Sequence, residues 1–156
     1  MIEFLNELFK GKLIINDLVF GKNDHPGELK DEGGVIFDLH CKDSANNSFL
    51  VKVQRGKQEN FEDSVFYYAA RLISDQIPKG NRKIWNYKLQ PLYVIAILED
   101  SIPENTNSEV YVDELSFTRC STGETSNKLT FKFIELTKFV KSADELVNSL
   151  GKWIFA

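Results

Sequence analysis

The spacing of apolar residues changes period several times along the chain, and each change marks an element. Over residues 2–10, Ile2, Leu5 and Phe9 fall at helical spacing with Phe4 and Leu8 beside them, and Gly11 stops the run, which predicts a short helix. LIINDLVF (13–20) is branched and apolar and is followed by the turn formers GKNDHPGE, so a strand and then a loop are expected. GVIFDLHCK (34–42) and SFLVKVQ (48–54) predict two more strands, and DSANN between them suits a hairpin.

The longest amphipathic run covers about Phe61 to Ile77. Phe61, Val65, Tyr68, Ala69, Leu72, Ile73 and Gln76 recur along one helical face, Asn60 and Asp63 suggest an N-cap, and Pro78 with Gly80 ends the helix. LYVIAIL (92–98) is almost wholly apolar, as a central strand covered on both faces would be. EVYVDELSFTR (109–119) and KLTFKFIEL (128–136) alternate as strands around the turn STGETSN. Ser142 and Glu145 have capping-box spacing ahead of Leu146, Val147, Leu150, Trp153 and Ile154, so a last amphipathic helix is expected. The order is helix, three strands, long helix, further strands and helix, which reads as an α/β chain.

Composition narrows this picture. At 156 residues, 42% of them hydrophobic, the chain can bury one substantial core, and a single domain over 1–156 is expected. It holds no apolar run long enough to span a bilayer, and acids interrupt its apolar start, so a cytoplasmic protein without a membrane partner is expected. Cys41 and Cys120 are too few for a disulfide framework and are expected as buried free thiols. The net charge of -4 argues against non-specific coating of nucleic acid, but the charge is uneven. Between Lys52 and Lys88 stand the bases Lys52, Arg55, Lys57, Arg71, Lys79, Arg82, Lys83 and Lys88 against the acids Glu59, Glu62, Asp63 and Asp75, whereas Glu99 to Glu114 carries acids only.

Candidate chemistry concentrates in the paired strands. Alternation puts Ile36, Asp38 and His40 on one face of 34–42, and Leu50, Lys52 and Gln54 on one face of 48–54. An Asp inside one core strand and Lys-x-Gln inside the next need partners if buried. A carboxylate beside a second carboxylate and a Lys or Gln on neighbouring strands can hold one or two Mg²⁺ ions, which activate water against a phosphodiester. A zinc site from His25, His40, Cys41 and Cys120 is disfavoured, because no pair has short ligand spacing and His40 and Cys41 point to opposite faces. GELKDEGG (27–34) lacks the lysine context of a phosphate loop and reads as a turn. Tyr67, Tyr68, Arg71, Arg82, Lys83, Trp85 and Tyr87 mix aromatics with bases, as backbone contact with base stacking would need, although Tyr68 also fits the apolar helix face.

The runs FDLHCKD (37–43), SFLVKVQRGKQENF (48–61), YYAARLISDQIPKG (67–80) and LQPLYVIAIL (89–98) resemble the PD-(D/E)xK nuclease family transposases, with weaker likeness upstream in FLNELF and DLVF and downstream in FKFIELTKF. The resemblance implies a restriction-endonuclease-like α/β fold, a mixed central sheet flanked by helices, and an endonuclease acting on DNA with Mg²⁺ or Mn²⁺. Carried over, Asp38 matches the metal-binding Asp and Gln54 the last residue of the family's Glu-x-Gln, with Lys52 where the second acid belongs. An ammonium there removes a ligand and opposes the cation, so impaired cleavage is expected. Three explanations stand together: lost activity, an acid relocated to Glu28, Glu59 or Glu62, or a structural Lys52–Asp38 pair. The resemblance further implies DNA contact by Arg55, Lys57, Arg71, Arg82 and Lys83, allows a homodimer, matches Gln58 and Gln76 without a chemical reason, and suggests an N-terminally shortened member.

Overall fold

The computed structural model describes residues 1–21, 36–78, 80, 85–102 and 107–140, the strand residues 36–38 by their backbone only. Its elements are α1 (Ile2–Leu8), β1 (Val19–Phe20), β2 (Ile36–Lys42), β3 (Ser48–Gln54), α2 (Phe61–Ser74), β4 (Leu92–Leu98), β5 (Val112–Thr118) and β6 (Thr125–Glu135), with a 3-10 turn at Leu136–Lys138. The strands form one mixed sheet in the order β1-β2-β3-β4-β6-β5. β3, β4 and β6 run parallel in its middle, and antiparallel β2 and β5 flank them. The apolar run of β4 is therefore explained: it lies between two parallel neighbours and both its faces are covered.

Local chemistry sets the connections. In the hairpin between β2 and β3, Asp43 Oδ1 accepts from the amides of Ala45 and Asn47 (3.0 and 2.9 Å), its Oδ2 accepts from Asn47 Nδ2 (2.7 Å), and Asn46 takes φ 63. Because β3 and β4 are parallel, the chain must cross back between them, and α2 is that crossover. One face of α2 packs Phe61, Val65 and Ala69 onto Leu50, Val94, Ala96 and Phe133. On the opposite face of the sheet, Leu5, Leu8 and Phe9 of the α1 region pack against Cys41, Phe49, Val51, Tyr93 and Ile95. Phe9, Phe49 and Tyr93 form an aromatic cluster there with centroids 5.0 to 6.1 Å apart.

Several sequence expectations change. The strand expected over 13–20 shrinks to Val19–Phe20, because the Asn6 side chain takes both hydrogen-bonding groups of Ile15, accepting from its amide (2.7 Å) and donating to its carbonyl (2.8 Å). A backbone held by a side chain has nothing left for a ladder. The long helix ends at Ser74 rather than Ile77, and Gln76 instead clamps the backbone of Gln90 through two hydrogen bonds of 2.8 and 3.1 Å. Asn60 stands at the N-cap position but in a left-handed conformation without a side-chain cap. The strands expected over 109–119 and 128–136 become Val112–Thr118 and Thr125–Glu135, since the turn closes tightly between Arg119 and Glu124 with Gly123 at φ 75. Cys41 is buried as expected, whereas Cys120 sits in that exposed turn. The loop after Gly21, residues 34 and 35, and the last amphipathic helix fall outside the described residues. Among the described residues no helix is long and apolar enough to cross a membrane.

Candidate functional site

The strand carrying Lys52 and Gln54 turns its even-numbered residues toward α2. Leu50 joins the α2 core, and Lys52 and Gln54 follow it along the same face. The register sets Asp38 directly across from Lys52 on one side and Ala96 on the other. Asp38, described by its backbone, is thus level with the residue that alternation paired with it.

Lys52 is only 1% exposed, and its ammonium lies 4.3 Å above the centroid of the Tyr68 ring. A desolvated cation over an aromatic face gains about 2 kcal/mol, which offsets part of the cost of burying the side chain. Tyr68 can do this because it sits between Val65 and Leu72 on the helix face that packs on the sheet. Its ring covers the strand position where the family resemblance expects a carboxylate open to a cation.

Gln54 is 4% exposed and ends β3. Its Nε2 donates to the Arg55 carbonyl (3.0 Å), while its buried Oε1 has no hydrogen-bond partner. Arg55 and Lys57 follow as exposed residues at this end of the sheet. Arg71 does not join them: it lies in the last turn of α2, near the Tyr67 ring (5.9 Å), and α2 runs from the Phe61 end toward Gln90 at the other end of the sheet. Arg71 lies ten helical steps beyond Phe61, about 15 Å of rise. Glu62 is half-buried in the first turn of α2, and Glu59 is exposed just before it. Glu28, Arg82 and Lys83 fall outside the described residues.

The divalent ion implied by the resemblance can be tested against these groups. Position 52 offers an ammonium, which has no lone pair to give, and Gln54 offers one neutral oxygen. Among the described residues no three His, Cys, Asp or Glu side chains converge as a metal site. The residues described do not fit an ion held between two strand carboxylates. Cys41 belongs to the α1 side of the sheet and Cys120 is exposed in the distant β5–β6 turn, so they do not combine with His40.

Two contributors were not legible in the sequence. Tyr68 fitted either a base-stacking role or the apolar helix face, and nothing in its spacing signals the cation beneath it. Gln58 had only its resemblance to recommend it, yet its Oε1 is also buried without a partner.

No curated protein and no solved structure gives a match to the chain. The family model described as PD-(D/E)XK nuclease family transposase matches residues 1–156. The mixed six-stranded sheet with α1 on one face and α2 on the other agrees with the restriction-endonuclease-like fold of that family. Together, these findings show that the chain belongs to the PD-(D/E)XK nuclease family transposases.

Proposed function

We propose that this protein acts on DNA as a transposase-type nuclease-fold protein, one domain over 1–156, whose metal-dependent phosphodiester hydrolysis is impaired by Lys52. The observation that carries the reading is the buried ammonium of Lys52 beneath Tyr68, level with Asp38. Nucleases of this fold generally use divalent metal ions, which generate hydroxide from water and stabilise the leaving oxygen. A single positive charge about 5 Å from a divalent ion opposes it by roughly 7 kcal/mol at an effective dielectric of 20. Such opposition weakens binding by several powers of ten, and no acid at position 52 offsets it.

In this reading Asp38, Lys52 and Gln54 are the remains of the catalytic set, and Asp38 is the metal ligand that Mg²⁺ or Mn²⁺ would retain, with Glu28 or Glu62 as a relocated second acid. DNA is the partner, and Arg55, Lys57, Arg71, Arg82 and Lys83 supply phosphate contacts in the cytoplasm. The same buried ammonium favours a second reading, a catalytically inactive nuclease fold that binds DNA or a partner chain.

A plasmid-nicking assay with Mg²⁺ or Mn²⁺ tests both, using the wild type, Asp38→Ala and Lys52→Glu. Impaired hydrolysis predicts slow nicking that Asp38→Ala abolishes and Lys52→Glu accelerates. Retardation of DNA without nicking by the wild type favours the second reading. Wild-type nicking as fast as that of Lys52→Glu would refute the role given to Lys52.

A further inference from the structure

The turn after β3 and the segment after β4 enclose a small cavity at the carboxyl ends of these two parallel strands. Gln54, Gln58, Asp100 and Ser101 contribute its polar wall, and Phe61 and Leu98 close it toward the core. Its free room is about 10 Å³ for the centre of a water-sized sphere, enough for one small guest.

The two buried atoms left without a partner here are both acceptors, Gln54 Oε1 and Gln58 Oε1. The Gln54 amide cannot be turned over to change this. Its Nε2 donates to the Arg55 carbonyl, and the reverse orientation would set oxygen against oxygen. Asp100, half-buried in the same wall, adds a carboxylate, and Ser101 adds a hydroxyl that already meets Thr137 Oγ1 at 2.8 Å. A guest that donates hydrogen bonds or carries positive charge would satisfy these oxygens, and the Asp100 carboxylate beside them favours the charged one. Lys57 also lines the cavity, but it is exposed, so water can solvate its ammonium while its stem covers the wall.

We propose that this cavity is a binding site for one partly dehydrated, oxygen-seeking metal cation, held by the side-chain carbonyls of Gln54 and Gln58 with the Asp100 carboxylate as charged ligand. Carbonyl and single-carboxylate ligands suit Ca²⁺ and Mn²⁺ better than Mg²⁺, which sheds its water reluctantly and demands regular octahedral geometry. The site shares Gln54 with the set named above but takes its charge from Asp100 in place of Asp38, and it does not depend on cleavage. Lys52 opposes a cation in mid-strand, whereas the strand ends offer the Asp100 carboxylate.

Calorimetric titration of the whole chain with Ca²⁺, Mn²⁺ and Mg²⁺ tests the proposal, with thermal unfolding as a check that each variant folds. The expected result is one tight Ca²⁺ or Mn²⁺ per wild-type chain that persists in Asp38→Ala, with only weak binding at Asp38 itself lost there. Asp100→Asn and Gln58→Leu should each weaken binding at least tenfold, and Lys57→Gln should strengthen it a few fold. Asp100→Asn alters a half-buried residue and keeps its volume, so its result stands if Gln58→Leu fails to fold. A wild type that binds no cation overturns the proposal, the guest then being water. Binding lost in Asp38→Ala but intact in Asp100→Asn overturns it too. Rapid nicking by a protein that binds its cation through Asp100 would sink the functional reading above and leave this site standing.

Discussion

Glu114 and Lys132 face each other across β5 and β6 on the α1 side of the sheet. Glu114 Oε2 accepts from Lys132 Nζ at 2.8 Å, and Oε1 accepts from Lys12 in the loop after α1. The Lys132 side chain is 9% exposed and that of Glu114 29%. Replacing Glu114 by Gln leaves a nearly buried ammonium without its anion. Removing one partner of a fully buried pair costs about 3–5 kcal/mol and of an exposed pair about 0–1 kcal/mol. Glu114 lies between these limits, and the Phe9 ring, 5.1 Å from Lys132 Nζ, remains as a weak partner for the cation. The expected loss at pH 7 is about 2 kcal/mol. Urea unfolding followed by tryptophan fluorescence should show a lower midpoint at an unchanged slope. Glu114→Gln combined with Lys132→Met should recover at least half of the loss, because it removes the stranded charge.

The same pair fixes a pH dependence. Burial pushes the Glu114 carboxyl up, but the hydrogen bonds from Lys12 and Lys132 and their charges outweigh it and hold the group below its ordinary value. A carboxyl depressed in the folded state adds stability above its unfolded value, 4.5, and that stability is lost as pH falls through the folded value. The gap between wild type and Glu114→Gln should therefore close on acidification below about pH 4. A Glu114→Gln loss under about 0.5 kcal/mol at pH 7, or a gap that widens in acid, refutes the reasoning.

Asn6→Ala removes both bonds to the Ile15 backbone and should cost about 2 kcal/mol in chemical unfolding, since Ile15 is buried and its amide is left unpaired. Tyr68→Ala should uncover Lys52, so that an amine-directed reagent labels Lys52 in the variant but not in the native protein, with peptide mass spectrometry as readout. Labelling of native Lys52 would contradict its burial. The Cys41 thiol is raised to about 11 by burial and then by the nearby Asp43 carboxylate, so iodoacetamide at pH 8 should modify exposed Cys120 and reach Cys41 only on unfolding.

Periodicity located the fold's main elements because their residues repeat a single environment. β3 and β4 were read at their observed bounds, and the Phe61, Val65 and Ala69 stripe did face the sheet. Two of the errors came where one side chain competes with the backbone pattern. Asn6 dissolves most of a strand by binding Ile15, and Gln76 replaces the expected last turn of α2 by binding Gln90. Such long-range bonds have no local signature. The level pairing of positions 38 and 52 was legible from alternation, whereas the cover over Lys52 was not, because it depends on how far α2 is rotated about its own axis. The paired amide oxygens of Gln54 and Gln58 were equally invisible, since only the turn between them brings them to one cavity.

The register across the sheet also bears on how this site can change through descent. Asp38, Lys52, Ala96 and Phe133 form one continuous row, and the side chain beside Lys52 on β4 is a methyl group. Lysine and glutamate have similar lengths, and their codons differ at a single base. One base change thus exchanges the ammonium for a carboxylate, but that carboxylate would meet the negative face of the Tyr68 ring, which holds a cation and repels an anion. Tyr68 therefore ties position 52 to its present charge, and a change to an acid there calls for a second change in α2.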